Sequence, residues 1–252
     1  MEYEPRIPVF RIGGHSMSYN KLILPRFFLA IDDGSASEVV RKANQIVDVP
    51  GRYGIKVNLD AIIDNKKVIS DVRVITGRPV FADIKGWNGK RTLREIVKIV
   101  AGEGASVVNF YALADDMLEG AVEEATKQGV VILGVTVLTH YDESYCQRHF
   151  RRTFQESVQH FAKVSLKRGC DGYILPGTML DAVAGFGGIK FIPATRPVSF
   201  EEREANFQKQ FEDPLVCLGN GATIVSCGSP VWKSPDPCKT LEDLAKKINY
   251  NT

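Results

Sequence analysis

The feature that most constrains the fold is an eightfold alternation of short apolar runs with helix-like stretches, most of them about 20–30 residues apart. Strands that alternate with helices form parallel sheets, and runs that are apolar throughout are buried on both faces. Eight such units favour a closed α/β barrel over an open sheet. We therefore predict a single-domain (β/α)8 TIM barrel over residues 27–252, preceded by an N-terminal extension over residues 1–26. The predicted strands are Phe27–Ile31, Gly54–Asn58, Pro79–Ala82, Ser106–Tyr111, Val130–Thr139, Asp171–Leu175, Ile189–Pro193 and Ala222–Ser226.

Composition excludes several classes of protein. The net charge is +2 and no block of Lys and Arg stands out, so the sequence gives no reason to expect a nucleic-acid or membrane-surface partner. No apolar run reaches the roughly 18 residues of a membrane span, and the opening residues lack the pattern of a signal peptide. The five cysteines and four histidines have no disulfide or metal-ligand spacing. We expect reduced thiols, no metal site and a cytoplasmic protein.

Four charged residues fall at or near the ends of the first three predicted strands: Asp32, Lys56, Asp83 and Lys85. The active site of an α/β barrel lies at the carboxyl ends of its strands, so these side chains are expected to converge. Alternating lysines and aspartates keep one another ionised. Such a lysine can protonate an atom that gains negative charge, while a carboxylate repels a leaving anion. The alternative is a structural salt-bridge network, although burying so many charges in a core is costly.

Later strands contribute further candidates. Thr139 and Pro193 end the fifth and seventh strands, and Arg196 follows the seventh, where it would meet an anion or lie on the surface. Gly228 and Ser229 follow the eighth strand, where barrels commonly bind phosphate through backbone N–H groups.

Capping signals place several helices. Ser35–Glu38 and Thr92–Glu95 read as capping boxes, the second opening a helix that runs to about Ala101. A further helix is expected to be broken by Pro214.

The segment Asp83-Ile84-Lys85-Gly86-Trp87-Asn88 resembles the Asp-x-Lys-x-x-Asp motif of the orotidine 5'-monophosphate decarboxylase superfamily. The first, second, fifth, seventh and eighth strands resemble that family in the same order, so the similarity covers about residues 27–249. The resemblance implies a cofactor-independent carboxy-lyase of pyrimidine nucleotide biosynthesis. It also implies a phosphorylated nucleotide or sugar substrate and a homodimer with shared active sites.

The resemblance also implies roles for individual residues. Lys85 would protonate the carbanion left by carbon dioxide, and Asp83 would crowd the leaving carboxylate. Lys56 and Asp32 would complete the network and touch the ribose. Thr92 would reach the ribose in the neighbouring subunit, and Thr139 would contact the pyrimidine.

Two departures from the family pattern bear on function. Asn88 stands where the family has an aspartate that enters the partner's active site. Ser229 stands where the family has an arginine that grips phosphate bidentately, which a serine cannot do. The fourth strand also carries Tyr111 in place of a histidine. The alternatives are therefore a superfamily enzyme, such as an aldolase, that acts on another phosphorylated sugar or nucleotide, and a catalytically silent ligand-binding paralogue.

Overall fold

The eight strands close into one parallel barrel in sequence order, as predicted. A computed structural model describes residues 24–197 and 212–250. Each strand pairs with the next along the chain, and the eighth pairs with the first. The strands are β1 (Phe27–Ile31), β2 (Gly54–Asn58), β3 (Val80–Gly86), β4 (Val107–Tyr111), β5 (Val131–Val135), β6 (Gly172–Ile174), β7 (Ile189–Ile192) and β8 (Ile224–Cys227).

Ten α-helices in the described part of the chain lie in the connections and after β8. They are α1 (Ala36–Gln45), α2 (Leu59–Asp64), α3 (Val68–Thr76), α4 (Lys90–Gly102), α5 (Leu118–Gln128), α6 (Glu143–Phe150), α7 (Phe154–Lys167), α8 (Pro214–Gly219), α9 (Ser229–Trp232) and α10 (Pro237–Tyr250). Short 3-10 helices span Ala112–Met117, Gly177–Met179 and Asp181–Val183. No helix in the described residues is both long enough and apolar enough to cross a membrane.

The barrel interior is built in layers of side chains from alternate strands. Phe28, Phe81 and Phe191 pack edge-on or tilted, with ring centroids 5.1–6.1 Å apart, and Leu133 belongs to the same buried cluster. The register places one residue of each even-numbered strand beside a member of this layer. The four pairs are Lys56 with Phe81, Asn109 with Leu133, Ile174 with Phe191, and Ser226 with Phe28. The aromatic layer therefore supports a second layer, Lys56, Asn109, Ile174 and Ser226, nearer the carboxyl ends of the strands.

A second core lies between the strands and the surrounding helices. Close packing there depends on glycine at particular strand positions. A Cβ at Gly134 would collide with the Ser165 hydroxyl, so glycine lets α7 pack directly on β5. This packing fixes the outer wall of the barrel behind the fifth strand.

The capping-box prediction is confirmed in part at α1, where Ser35 is the N-cap but the Glu38 carboxylate accepts from Arg41, and it is wrong at α4. The Ser35 hydroxyl accepts the Glu38 N–H and caps α1. The α4 helix instead begins at Lys90 after an N-cap at Gly89, so Thr92 lies inside its first turn. A Cβ at Gly120 would collide with the Lys90 carbonyl, so glycine lets α5 pack against this first turn.

Other helix boundaries also differ from the predicted ones. Pro214 begins α8 rather than breaking a helix, because proline at the first helical position loses no intrahelical hydrogen bond. Two helices, α6 and α7, lie between β5 and β6, and Thr153 and Glu156 form a complete capping box at the start of α7, which was not predicted. The predicted extension over residues 1–26 lies almost wholly outside the described residues and stays a prediction.

Candidate active site

Lys56 is the centre of the charged array. Its ammonium nitrogen lies 2.7 Å from Asp32 Oδ1, 2.7 Å from Asn58 Oδ1 and 2.8 Å from Asp83 Oδ2. An ammonium group has three protons to donate, so these three acceptors use them all. The Lys56 side chain is 8% exposed, and its charge is compensated within the barrel.

Asp83 receives hydrogen bonds on both carboxylate oxygens. Lys56 and Lys85 both donate to Oδ2, the latter at 2.6 Å, and the Asn109 side-chain amide donates to Oδ1 at 2.6 Å. Asp83 is 5% exposed and Asn109 is fully buried. The carboxylate is thus held in one orientation by donors from three strands, β2, β3 and β4.

The pKa values of the buried pair follow from this geometry. Burial alone raises the pKa of Asp83, but the nearby Lys56 and Lys85 ammonium groups outweigh it and hold the pKa well below its ordinary range. Burial likewise lowers the pKa of Lys56, and the carboxylates of Asp32 and Asp83 outweigh it and raise the pKa above its ordinary value. Both groups are charged throughout the physiological pH range.

The backbone at Lys85 adopts a left-handed conformation, with φ of 48°. The pairing of β3 with β4 shifts between Ala82 and Gly86, so Lys85 lies in a bulge. The Lys85 N–H, which the bulge removes from the regular ladder, donates to Asn109 Oδ1 at 2.8 Å. Asn109 therefore both orients Asp83 and anchors the strained backbone that carries Lys85.

A cavity of about 300 Å³ opens at the carboxyl ends of the strands, above the interior layers. Its floor includes Phe81, Ile174 and Phe191, and the charged array forms one wall. Another wall comes from the segments that follow β7 and β8. A larger groove, about 980 Å³, lies outside the barrel between α8 and α10 and includes no member of the array.

Nine of the eleven residues that the sequence singled out line this cavity. They are Asp32, Lys56, Asp83, Lys85, Thr139, Pro193, Arg196, Gly228 and Ser229. Asn88 and Thr92 do not line it: Asn88 is exposed and accepts a hydrogen bond from the Gly89 N–H, and Thr92 is half-buried on α4.

The polar residues at the site that the sequence prediction missed include Asn58, Asn109 and Ser226. Asn58 follows Lys56 by two residues, so strand alternation could have placed it on the same face. Ser226 is buried at the cavity, and in the described residues its hydroxyl has no hydrogen-bond partner. No charge or motif marks Asn109 or Ser226 in the sequence.

Comparison with known proteins identifies the family of the chain. The model of the orotidine 5'-phosphate decarboxylase / HUMPS family matches residues 25–244. The chain belongs to this family. It is 26% identical over 233 residues to an orotidine 5'-phosphate decarboxylase of Paramagnetospirillum magneticum, covering 88% of this chain and 97% of the relative. It is 22% identical over 228 residues to the Campylobacter fetus protein of the same name, with the same two coverages.

Solved structures agree on the fold. The orotidine 5'-phosphate decarboxylase of Lactobacillus acidophilus superposes with a TM-score of 0.74 at 21% identity, over 90% of this chain and 99% of that one. Membership in the decarboxylase family confirms the predicted enzyme class, a carboxy-lyase, and leaves its substrate open.

Proposed function

We propose that the protein decarboxylates orotidine 5'-monophosphate in pyrimidine nucleotide biosynthesis, without a cofactor. The bond between ring carbon C6 and the carboxylate breaks, and its electron pair stays on C6. An ammonium proton then adds to C6, giving uridine 5'-monophosphate and carbon dioxide, and the lysine regains its proton from solvent. The observation that carries the proposal is the buried Asp83 carboxylate held between two ammonium groups at the cavity.

The hydrogen bonds distinguish the two lysines. All three Lys56 protons are engaged, so Lys56 cannot donate to a substrate without giving up an existing contact. Lys85 Nζ has one acceptor among the described residues, Asp83 Oδ2, and its side chain is 36% exposed. Lys85 therefore has protons available for the ring carbon, and we assign it as the proton donor.

Asp83 acts on the group that leaves. It stays ionised because two ammonium groups and an amide donate to it, and an ionised carboxylate repels a substrate carboxylate placed beside Lys85. The repulsion is relieved as neutral carbon dioxide departs, so the transition state is favoured over the ground state. Asp32, with a half-exposed side chain bonded to Lys56, is positioned to meet a sugar hydroxyl.

The remaining candidates serve substrate binding. We assign Thr139 to the pyrimidine. We assign the wall that follows β7 and β8, with Pro193, Arg196, Gly228 and Ser229, to the phosphate. A serine hydroxyl is a weaker phosphate ligand than a bidentate guanidinium, so Ser229 contributes less to phosphate binding than the arginine of the family pattern would.

A homodimer with shared sites would give Asn88 and Thr92 their roles. Neither lines the cavity of its own subunit, and both follow β3 at the rim. Large apolar side chains are exposed after three consecutive strands at this end, with Ile63 at 75%, Trp87 at 66% and Leu113 at 42% exposure. A second copy packed on this rim would cover them and bring Asn88 to the partner's cavity. Its neutral amide would keep the shape of the family's aspartate without its charge.

The decisive experiment follows the loss of the orotate chromophore when orotidine 5'-monophosphate is incubated with the protein. Turnover by the wild-type chain, increased by Asn88→Asp and by Ser229→Arg, supports the proposal. The proposal is overturned if neither the wild type nor the variant that carries both Asn88→Asp and Ser229→Arg shows turnover.

A ligand-binding protein without turnover is the second candidate, favoured by Asn88 and Ser229 in place of a catalytic acid and a phosphate-binding arginine. It predicts nucleotide binding that survives Lys85→Ala, and no loss of chromophore. Turnover of another sugar phosphate would indicate a different superfamily reaction. We place the protein in the cytoplasm, in keeping with five cysteines that are all free thiols.

A further inference from the structure

The hydroxyl of Ser226 is buried at the cavity. The residue is 1% exposed, and its Oγ has no hydrogen-bond partner in the described residues. Its backbone carbonyl, in contrast, accepts two hydrogen bonds, one from the backbone N–H and one from the hydroxyl of Thr195. Leaving a buried hydroxyl unpaired costs about 1–3 kcal/mol, so such groups in a native protein call for an explanation.

The register shows where this hydroxyl lies. Ser226 is paired with Phe28 and occupies the same interior layer as Lys56, Asn109 and Ile174. In a layer built from alternate strands, β8 faces β4 across the barrel, so Ser226 lies opposite Asn109. The neighbouring floor residues, Phe191 and Ile174, are apolar.

The Ser226 hydroxyl in an otherwise apolar part of the cavity floor favours ligands that place a polar atom next to it. An alanine would fill nearly the same space without leaving an unpaired group. Serine has one side-chain torsion that turns its hydroxyl, so it can meet a ligand without backbone movement. A ring placed on this floor, with its reacting carbon toward Lys85, would turn another edge toward β8.

We infer that Ser226 binds the substrate's base, through a hydrogen bond between its Oγ and a polar edge atom of the pyrimidine ring. The inference rests on the proposed function and adds a specificity-determining residue on the side of the cavity opposite Asn109. A site that offers a buried hydroxyl discriminates against rings that lack the matching polar atom, because the hydroxyl would then remain unpaired.

The test compares binding of uridine 5'-monophosphate and ribose 5-phosphate, by calorimetry, to the wild type and to Ser226→Ala. One neutral hydrogen bond corresponds to about a 2–12-fold change in affinity. We expect Ser226→Ala to weaken binding of uridine 5'-monophosphate by that factor and to leave ribose 5-phosphate binding unchanged. The thermal midpoint without ligand should stay the same or rise, because the variant removes an unpaired polar group.

Ser165→Ala is the matched control. Ser165 is equally buried, but its hydroxyl donates to the Phe161 carbonyl within α7, behind the barrel wall. Its loss should leave both affinities unchanged.

Two outcomes overturn the inference, and they can be told apart. In the first, the wild type binds uridine 5'-monophosphate, and Ser226→Ala either binds it equally well or loses affinity for both ligands by the same factor. The assignment of Ser226 to the base is then wrong, while the proposed function stands. If the wild type does not bind uridine 5'-monophosphate at all, the proposed function fails and the assignment fails with it.

Discussion

Replacing Asn109 by alanine is expected to destabilise the barrel and to misplace Lys85. The substitution removes the donor to Asp83 Oδ1 and the acceptor of the Lys85 N–H, each at a contact shorter than 3 Å. A hydrogen bond to a charged group contributes about 1.5–3 kcal/mol, and an unpaired buried N–H costs about 1–3 kcal/mol. Because the two contacts share one side chain, we expect a loss of about 3–5 kcal/mol in the free energy of unfolding.

Urea unfolding at pH 7 measures this loss, with orotidine 5'-monophosphate turnover as the second readout. Lys85 sits at a positive φ that the Asn109 contact holds in place, so turnover should fall at least about 100-fold. Asn44→Ala is the control, since Asn44 is exposed on α1 and bonds only within that helix in the described residues. It should change stability by less than about 0.5 kcal/mol.

The variant Asn109→Asp tests the two hydrogen bonds of Asn109 separately, because it keeps one and disrupts the other. An aspartate can still accept the Lys85 N–H, but it places a second carboxylate beside Asp83 Oδ1. At low pH the two carboxylates can share a proton, which relieves their repulsion. This proton is lost as the pH rises, so the variant should lose more free energy of unfolding, relative to the wild type, at higher pH. An Asn109→Ala loss below about 1 kcal/mol with unchanged turnover would refute this account of how the array is held.

Three further predictions follow from the structure. The lowered pKa of Asp83 gives stability that is present above the ordinary carboxyl pKa of about 4 and is lost as the pH falls. The raised pKa of Lys56 gives stability that is present below the ordinary lysine pKa of about 10.4 and is lost as the pH rises. The free energy of unfolding, measured with urea, should be constant between these two pH limits. A decline at acid pH that is as steep in Asp83→Asn as in the wild type would contradict the role given to Asp83. The proposed dimer predicts that Trp87→Glu shifts the sedimentation mass from dimer to monomer and reduces turnover, whereas an unchanged mass would argue against the proposed rim interface. Gly134→Ala should lower the free energy of unfolding by about 1–3 kcal/mol, because the new methyl group collides with Ser165. Adding Ser165→Ala should restore part of this stability. If the losses of the two single variants simply add in the double variant, the two residues are not in direct contact.

The barrel could be predicted because its signals are local and repeated. Apolar strands alternating with helices leave few topologies, and the carboxyl ends of the strands must meet. Helix starts were harder to predict because packing decides between competing caps. Thr92 and Glu95 have the spacing of a capping box, yet α4 begins at Lys90, where Gly120 lets α5 pack against its first turn.

The charged half of the site could be predicted, but its neutral half could not. Asp32, Lys56, Asp83 and Lys85 are conspicuous because four charges at strand ends are costly without a purpose. An asparagine in the middle of β4 carries no such signal. Asn109 accepts the Lys85 N–H where β3 bulges between Ala82 and Gly86, a tertiary detail that side-chain alternation does not encode.

The role of Lys85 as donor of the proton that replaces the carboxylate can be tested by isotope labelling. Orotidine 5'-monophosphate should be incubated in deuterated water with the wild type and with Lys85→Ala, and the uridine 5'-monophosphate formed should be followed by proton NMR. We expect the wild type to give product with deuterium at C6. Loss of the general acid should slow formation of this product by about 100-fold or more in Lys85→Ala, while binding of uridine 5'-monophosphate persists. Product formation by Lys85→Ala at the wild-type rate would show that Lys85 is not the proton donor.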